Sequence, residues 1–306
     1  MRFSATRVLF CCLLIGALVT LAGAQAVRPD SRENGKSELR PTGKGWGQVD
    51  HSAWRTSRTG NGISYHGGPV MTGGPTIHYI WYGNWSSGDA SAVPILDTLR
   101  DNIGGSSYFN INTTYTNSAG THVSNHVGHS SDDHSNDATT GYSKSLSDAD
   151  ILSIVQNVAG SSPDPNGVYF VLTTADVNET SGFCTQYCGW HDHATISGVD
   201  TKYAFVGNPD RCPSACEWQT TSPNGNAGAD GMASIIAHEL EEATSDPDLN
   251  AWYDSRGYEN ADKCAWTFSP VSSSNGYQYN ISLGGRQYLI QRNWVNASGG
   301  YCSMSY

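Results

Sequence analysis

The segment Asp230-Gly-Met-Ala-Ser-Ile-Ile-Ala-His238-Glu239-Leu-Glu241-Glu242-Ala-Thr-Ser-Asp246-Pro247 concentrates side chains that can hold a cation. Read as a helix, it sets His238 and Glu242 on one face, about 5–6 Å apart, because residues four apart are neighbours there. Glu239 flanks them. This is the spacing of HExxH zinc helices, in which two ligands sit at i and i+4 and a glutamate after the first acts as base. Here the second ligand position is Glu242 rather than His, giving HExxE. Between Arg211 and Arg256 there are eight acids and no Lys or Arg. Several lie near the helix C-terminus, where the helix dipole disfavours anions by about 0.3–1 kcal/mol each. A divalent cation, zinc first, would answer that charge, since carboxylate and imidazole ligands suit Zn, Mn or Ca. The opposing reading is a solvated acidic face with one ordinary histidine.

A catalytic zinc needs a third protein ligand and a water in the fourth place. Asp248 follows His238 by ten residues, as in zinc proteases whose third ligand comes after a turn, but Ser245 stands where such turns use Gly. Glu259 and Asp262 lie in Gly257-Tyr-Glu259-Asn-Ala-Asp262-Lys-Cys264, closer to the spacing of a glutamate ligand on a second helix. The expected metal set is His238, Glu242, Glu259 and Asp262, with Asp262 placed to bond the other nitrogen of His238. Glu239 would act as general base on a metal-bound water. A ligand set richer in carboxylate makes the ion less electrophilic, so weak hydrolysis and a non-catalytic metal both remain open.

These groups need a frame. Pro247 ends the helix, because the residue before proline is pushed out of helical geometry. Asp230 is placed to cap its start. Met232, Ile236, Leu240 and Ala243 form its apolar stripe, so a helix is expected over 231–245. Thr76–Tyr82, Gly167–Thr173 and Tyr203–Val206 are β-branched and aromatic runs and read as strands. Val93, Leu96 and Leu99 mark a helix over 90–102, and Ser147 opens another that carries Ile151, Ile154, Val155 and Val158. Residues 119–147 form a long polar loop, whose His122, His126, His129 and His134 read as solvated. His191 and His193 either approach the metal cleft or lie in a disulfide loop after Cys188, the second being preferred. Trp81, Tyr82, Trp85 and Trp252 read as core or as sugar-stacking platforms; core is the commoner case, and the sequence does not separate the two. Strands alternating with helices give an α+β domain. The expected layout is zincin-like: a twisted mixed sheet with a backing helix and a metal-site helix.

Composition sets the compartment. Lys plus Arg is 17 and Asp plus Glu is 28, a formal charge of −11, and this excludes the positive footprint that nucleic-acid binding needs. Residues 1–24 have a basic head at Arg2 and Arg7, an apolar run from Val8 to Ala22 and an Ala22-Gly-Ala24 exit, which is a secretory signal peptide. The run is short for a membrane span, and none is expected in the mature chain. Residues 25–62 read as a flexible segment and 63–306 as the folded domain. The six remaining cysteines, Cys184, Cys188, Cys212, Cys216, Cys264 and Cys302, read as disulfides of an exported protein, with fifteen pairings open. Asn84, Asn112, Asn178, Asn280 and Asn296 head glycosylation sequons.

Gly67-Gly-Pro-Val-Met-Thr-Gly73 followed by Ile80-Trp-Tyr-Gly83 resembles the opening of the plant EXORDIUM, or phosphate-induced protein, family. Lys144-Ser-Leu146, Tyr187-Cys-Gly-Trp-His191, Asn224-Gly-Asn-Ala-Gly228, His238-Glu239 with Glu242, and Asn250-Ala-Trp-Tyr253 continue the resemblance over residues 63–302. It implies secretion to the apoplast or cell wall and a link to growth and to carbon or phosphate status. Two functions follow as expectations: a secreted metal-dependent, peptidase-like hydrolase, or a non-catalytic growth or cell-wall signalling protein. The partners would be extracellular peptides or cell-wall components.

Overall fold

Seven-residue runs of β-branched and aromatic side chains build the centre of the molecule. The computed structural model describes residues 62–306 together with the strand Ser37–Leu39; the expected signal peptide lies outside the described residues. The main sheet uses β1 (Ser37–Leu39), β2 (Thr76–Tyr82), β3 (Gly128–His129), β4 (Gly167–Thr173), β5 (Gly189–Ile196) and β6 (Val199–Gly207). Its order is β1-β5-β6-β4-β2-β3. β6, β4, β2 and β3 run parallel, while β5 and β1 are antiparallel to their neighbours. All seven residues of β4 are buried, so this central strand is covered on both faces, as parallel strands generally are.

Three helices pack on this sheet. α1 (Val93–Ile103) buries Ile95, Leu96, Leu99 and Ile103 and lies against α3 (Ala227–Ser245). α2 (Asp148–Ala159) packs on β4, β5 and β6. Ser147 and Asp150 close a reciprocal capping box at its start, satisfying two orphan backbone donors. The strands Thr76–Tyr82 and Gly167–Thr173 have the bounds that their composition predicts. Tyr203–Val206 is the middle of a longer strand, and Ser37–Leu39 is a strand within the segment expected to be flexible.

The strand β5 differs from the sequence expectation. Ser197-Gly198 joins it to β6, with φ of 50° and 83°, and Ile196 pairs with Val199. Positive φ at both central residues is the signature of the type I′ hairpin turn, whose twist matches the flanking strands. His191 is therefore a sheet residue and not part of a disulfide loop. The loop lies just before it: Cys184 pairs with Cys212, and Cys188 with Cys216, each across 28 residues. Each closure of that length is worth about 3–4 kcal/mol in the chain-entropy account, less for the second of a parallel pair. The two bridges fasten the start of β5 to the segment leading into α3. Cys264–Cys302 ties down the C-terminal hairpins.

The sequons divide on burial. Asn112 is fully buried and accepts from the Asn260 amide, and Asn296 is also buried. The Asn280 amide donates to the Phe268 and Ile290 carbonyls. Asn112 and Asn280 thus use their amides in structural hydrogen bonds, and Asn296 is buried, so these three sequons are placed less favourably for a glycan than Asn84 and Asn178. Trp81 and Trp85 are wholly buried, in keeping with their reading as core. Trp252 is only half-buried.

Beside the disulfide loop, Glu179 is buried and takes hydrogen bonds from Tyr187 Oη and from Ser181 N at 2.9 Å. Burial and the neighbouring Asp148 push its carboxyl up to about 7. A raised carboxyl favours the folded state while it is protonated. Its contribution is therefore complete below about 4.5 and is lost as pH rises through about 7. Thermal unfolding should show stability falling from pH 4.5 to 7 by on the order of 2 kcal/mol, and Glu179→Gln should flatten that slope. An equally steep slope in the variant would show that another group carries it.

Candidate metal centre

α3 begins earlier than Asp230. Asn226 is the N-cap, its side chain accepting from Ala229 N at 2.9 Å. Asp230 lies inside the first turn and anchors the preceding loop instead, accepting from Asn224 Nδ2 at 2.6 Å and from Ser222. The helix ends at Ser245, and Asp246 N donates to Glu242 O at 2.7 Å. Every residue from Gly228 to Ser245 except Gly231 is buried. An amphipathic helix has one solvated face, whereas one buried all round sits inside the structure. The acidic residues of this helix are therefore not a solvated face: Glu239, Glu241 and Glu242 have no exposed surface.

One side of α3 meets the sheet. At Gly189 of β5 an added Cβ would stand 2.5 Å from Ile235 Cγ2 and 3.1 Å from Glu239 Oε1, so the glycine lets helix and strand approach. The opposite side is covered by the C-terminal segment. Gln291 N donates to Ser234 Oγ, Asn260 Nδ2 to Glu241 O, and Asn293 Nδ2 to the Glu241 carboxylate.

Between these layers the expected metal residues come together. His238 Nε2 lies 3.0 Å from Glu242 Oε1 and 3.6 Å from Asp262 Oδ1. His191 Nε2 lies 3.4 Å from Glu259 Oε2 and 3.8 Å from Glu242 Oε2. Glu242 thus faces both imidazoles, one with each oxygen. The backbone fixes the carboxylates: Asp262 N donates to Glu242 Oε1 at 3.0 Å and Glu259 N to Asp262 Oδ2 at 3.2 Å. Two sets of potential ligand atoms, His191/Glu242/Glu259 and His238/Glu239/Glu242, each gather within 4.8 Å.

Two sequence assignments change, and the candidate already set aside, Asp248, lies apart. The Nδ1 partner of His238 is the Gln291 amide at 2.5 Å, while Asp262 stands on the Nε2 side. Asp248 belongs elsewhere, 3.5 Å from Lys202 Nζ and 3.8 Å from His193 Nδ1. His191, for which the loop is the preferred sequence reading, is wholly buried in the cluster. The Ser197-Gly198 hairpin signal was present in the sequence and places His191 on β5. Gln291 has no comparable signal. The loop histidines stay apart: His134 stacks on Trp81, and His122 Nδ1 contacts Thr113 O at 2.7 Å.

The electrostatics are those of buried charge. Burial lowers the His238 pKa, but Glu242, Asp262 and Glu239 outweigh it and hold the imidazole well above its ordinary value. Burial raises the carboxyl of Glu239, opposed by His238 and assisted by Glu242, Asp262 and Glu259. Among the described residues neither oxygen of Glu239 has a hydrogen-bond partner. An ionised carboxylate in that position is costly unless a cation or a proton neutralises it.

The packing at Gly189 generates a direct check. Gly189→Ala places a methyl against Ile235 and the Phe205 carbonyl, and overpacking of this kind costs about 1–3 kcal/mol. A lowered melting temperature is expected, by several degrees. An unchanged one would mean that helix and strand can separate freely.

Residues 63–304 match the family model described as the phosphate-induced protein 1 conserved region. The chain is 30% identical over 281 residues to Protein EXORDIUM-like 3 of Arabidopsis thaliana, covering 79% of this chain and 82% of that protein. Protein EXORDIUM-like 5 of the same plant is 29% identical over 76% of this chain and 75% of its own length. Protein EXORDIUM is 27% identical over 65% and 70%. No solved structure matches.

Proposed function

The chain belongs to the phosphate-induced protein 1 family, and on that premise we propose an extracellular, non-catalytic protein of growth or cell-wall signalling whose core is held by a buried divalent cation. One observation carries the cation: four carboxylates, Glu239, Glu242, Glu259 and Asp262, are buried around His191 and His238. The donor set fits zinc, which takes imidazole nitrogen and carboxylate oxygen in four-coordinate sites. His191, His238, Glu242 and Glu259 would hold the ion, with Asp262 bonded beside Glu242. Gln291 Nε2 lies against His238 Nδ1 at 2.5 Å and also donates to the Ala261 carbonyl, so it fixes the orientation of the ring.

Closure supports a structural rather than a catalytic ion. Catalytic zinc keeps a position open to substrate, and structural zinc does not. Here both imidazoles and Glu239, Glu242 and Glu259 have no exposed surface. β1 also pairs with β5 as the edge strand of the sheet, Ser37 opposite His191 and Leu39 opposite Gly189. Export is supported by three disulfides, by the signal-peptide reading of residues 1–24, and by the absence, among the described residues, of a helix long and apolar enough to cross a membrane.

A hydrolase is the second reading, and Glu239 is what favours it. A carboxylate with unpartnered oxygens beside the cluster is where a general base belongs. The zincin-like layout fits that reading through the mixed sheet, its antiparallel strand β5 and the HExxE helix beneath it.

Elemental analysis of the secreted protein should find stoichiometric zinc or another divalent ion. Chelation should lower the melting temperature. Glu242→Gln should lose the ion and Glu239→Gln should keep it. Cation-free protein whose melting is indifferent to chelation overturns the proposal. Peptide cleavage by the wild type, abolished in metal-retaining Glu239→Gln, would decide for the hydrolase.

A further inference from the structure

A cleft of about 580 Å³ opens where three parallel strands end, after Tyr82 of β2, Thr173 of β4 and Gly207 of β6. The volume lies in the ordinary range of ligand pockets. The chain leaves β2 for β3 on one side, while β4 lies on the other. Ligands of open α/β sheets bind at such a reversal of strand order, outside the carboxyl ends of the strands. The first turn of α3 borders the cleft, and His238 lies eleven residues further along, roughly 16 Å down the helix axis. The cleft is thus separate from the metal cluster, and an inference drawn from it stands or falls without that cluster.

Its chemistry is specific. Asp89, Asp176 and Asp210 supply acceptors; Asn84, Asn208 and Asn226 supply amides, and Tyr142 an aromatic wall. Several of these are fixed before any ligand arrives. Asn226 Nδ2 donates to Asp89 Oδ1 at 2.6 Å and Asn208 Nδ2 to Asp89 Oδ2 at 3.3 Å. Tyr142 Oη donates to Asp176 Oδ2 at 2.7 Å. Three ligand classes can be compared against this lining. An anion meets three carboxylates, and Lys144, 3.0 Å from Asp176, already pairs with one of them. A single cation is not served either, because among the described residues no metal-sized group of ligand atoms includes Asp89, Asp176 or Asp210. An apolar ligand would strand the polar lining without partners, each buried group costing about 1–3 kcal/mol. A neutral ligand dense in hydroxyls meets none of these objections. Each hydroxyl donates to a carboxylate and accepts from an amide, and the C–H face of a sugar ring can lie on Tyr142.

The geometry points to this cleft as a binding site for a neutral oligosaccharide. Asn84 heads the sequon Asn84-Trp85-Ser86 and lines the cleft, so the protein for the test is the full mature chain made in a host that adds no N-glycan. Titration calorimetry would use cellotetraose, xylotetraose, mannotetraose and laminaritetraose, with a galacturonic acid tetramer as the charged control. At least one neutral tetramer should bind, and the galacturonide should bind at least about tenfold more weakly. Asp210 is exposed, so Asp210→Ala should fold with unchanged melting. That variant and Tyr142→Ala should each weaken binding about tenfold or more. The inference is overturned if no neutral tetramer binds with a Kd below about 10 mM. It is equally overturned if the galacturonide binds as well, or if both folded variants bind like the wild type.

Discussion

Burying carboxylates is the constraint around which this molecule is arranged. Glu239, Glu241, Glu242 and Glu259 have no exposed surface, and Asp262 almost none. In a low-dielectric interior each must be protonated, hydrogen-bonded or paired with positive charge. The structure uses every available means. Asn293 takes Glu241, and the backbone of 259–262 takes Glu242 and Asp262. The imidazoles of His191 and His238 face the rest. Among the described residues Glu239 has neither oxygen hydrogen-bonded, and it lies against the backbone of β5. A site of this kind cannot be left open to water at one end without changing the protonation of all its members, because their interactions are mutual.

That constraint explains the covalent staples. Helix α3 must be enclosed on the side its sequence makes polar, and the enclosing residues come from 259–295, where regular structure amounts to short hairpins. Such a segment has little packing of its own. Cys264–Cys302 holds it, while Cys184–Cys212 and Cys188–Cys216 hold the strand bearing His191 to the approach of the helix bearing His238. The bridges lie on either side of the cluster, where loss of register would expose buried charge.

How much of this the sequence discloses depends on whether the signal is local. Thr76–Tyr82 and Gly167–Thr173 carry uninterrupted β-forming runs, and their bounds are legible. The i, i+4 pairing of His238 and Glu242 is a property of one helix and is likewise legible, as is the nearness of Glu259 and Asp262 to a cysteine that anchors them. For His191 the sequence leaves loop and cleft both open, because it stands just after Cys188. The evidence for a strand lay in the Ser197-Gly198 turn after it, where φ of 50° and 83° closes a hairpin. Asp230 reads as a cap in the sequence, but Asn226 precedes it by a full turn and either residue type can cap. Gln291 lies 53 residues from His238 in an irregular segment, and only the folded chain brings the two together.

Burial also changes the meaning of the motif. An HExxE sequence on a solvated helix would suggest a weakened hydrolase, since a carboxylate in place of the second histidine lowers the charge on the ion. Here that carboxylate presents an anionic acceptor to each side: Glu242 turns one oxygen to His238 and the other to His191, which sits on a different element. The substitution joins the helix to the sheet through a single side chain. A bridge between layers and an electrophilic metal call for different residues at position 242, and the residue present is the one that bridges.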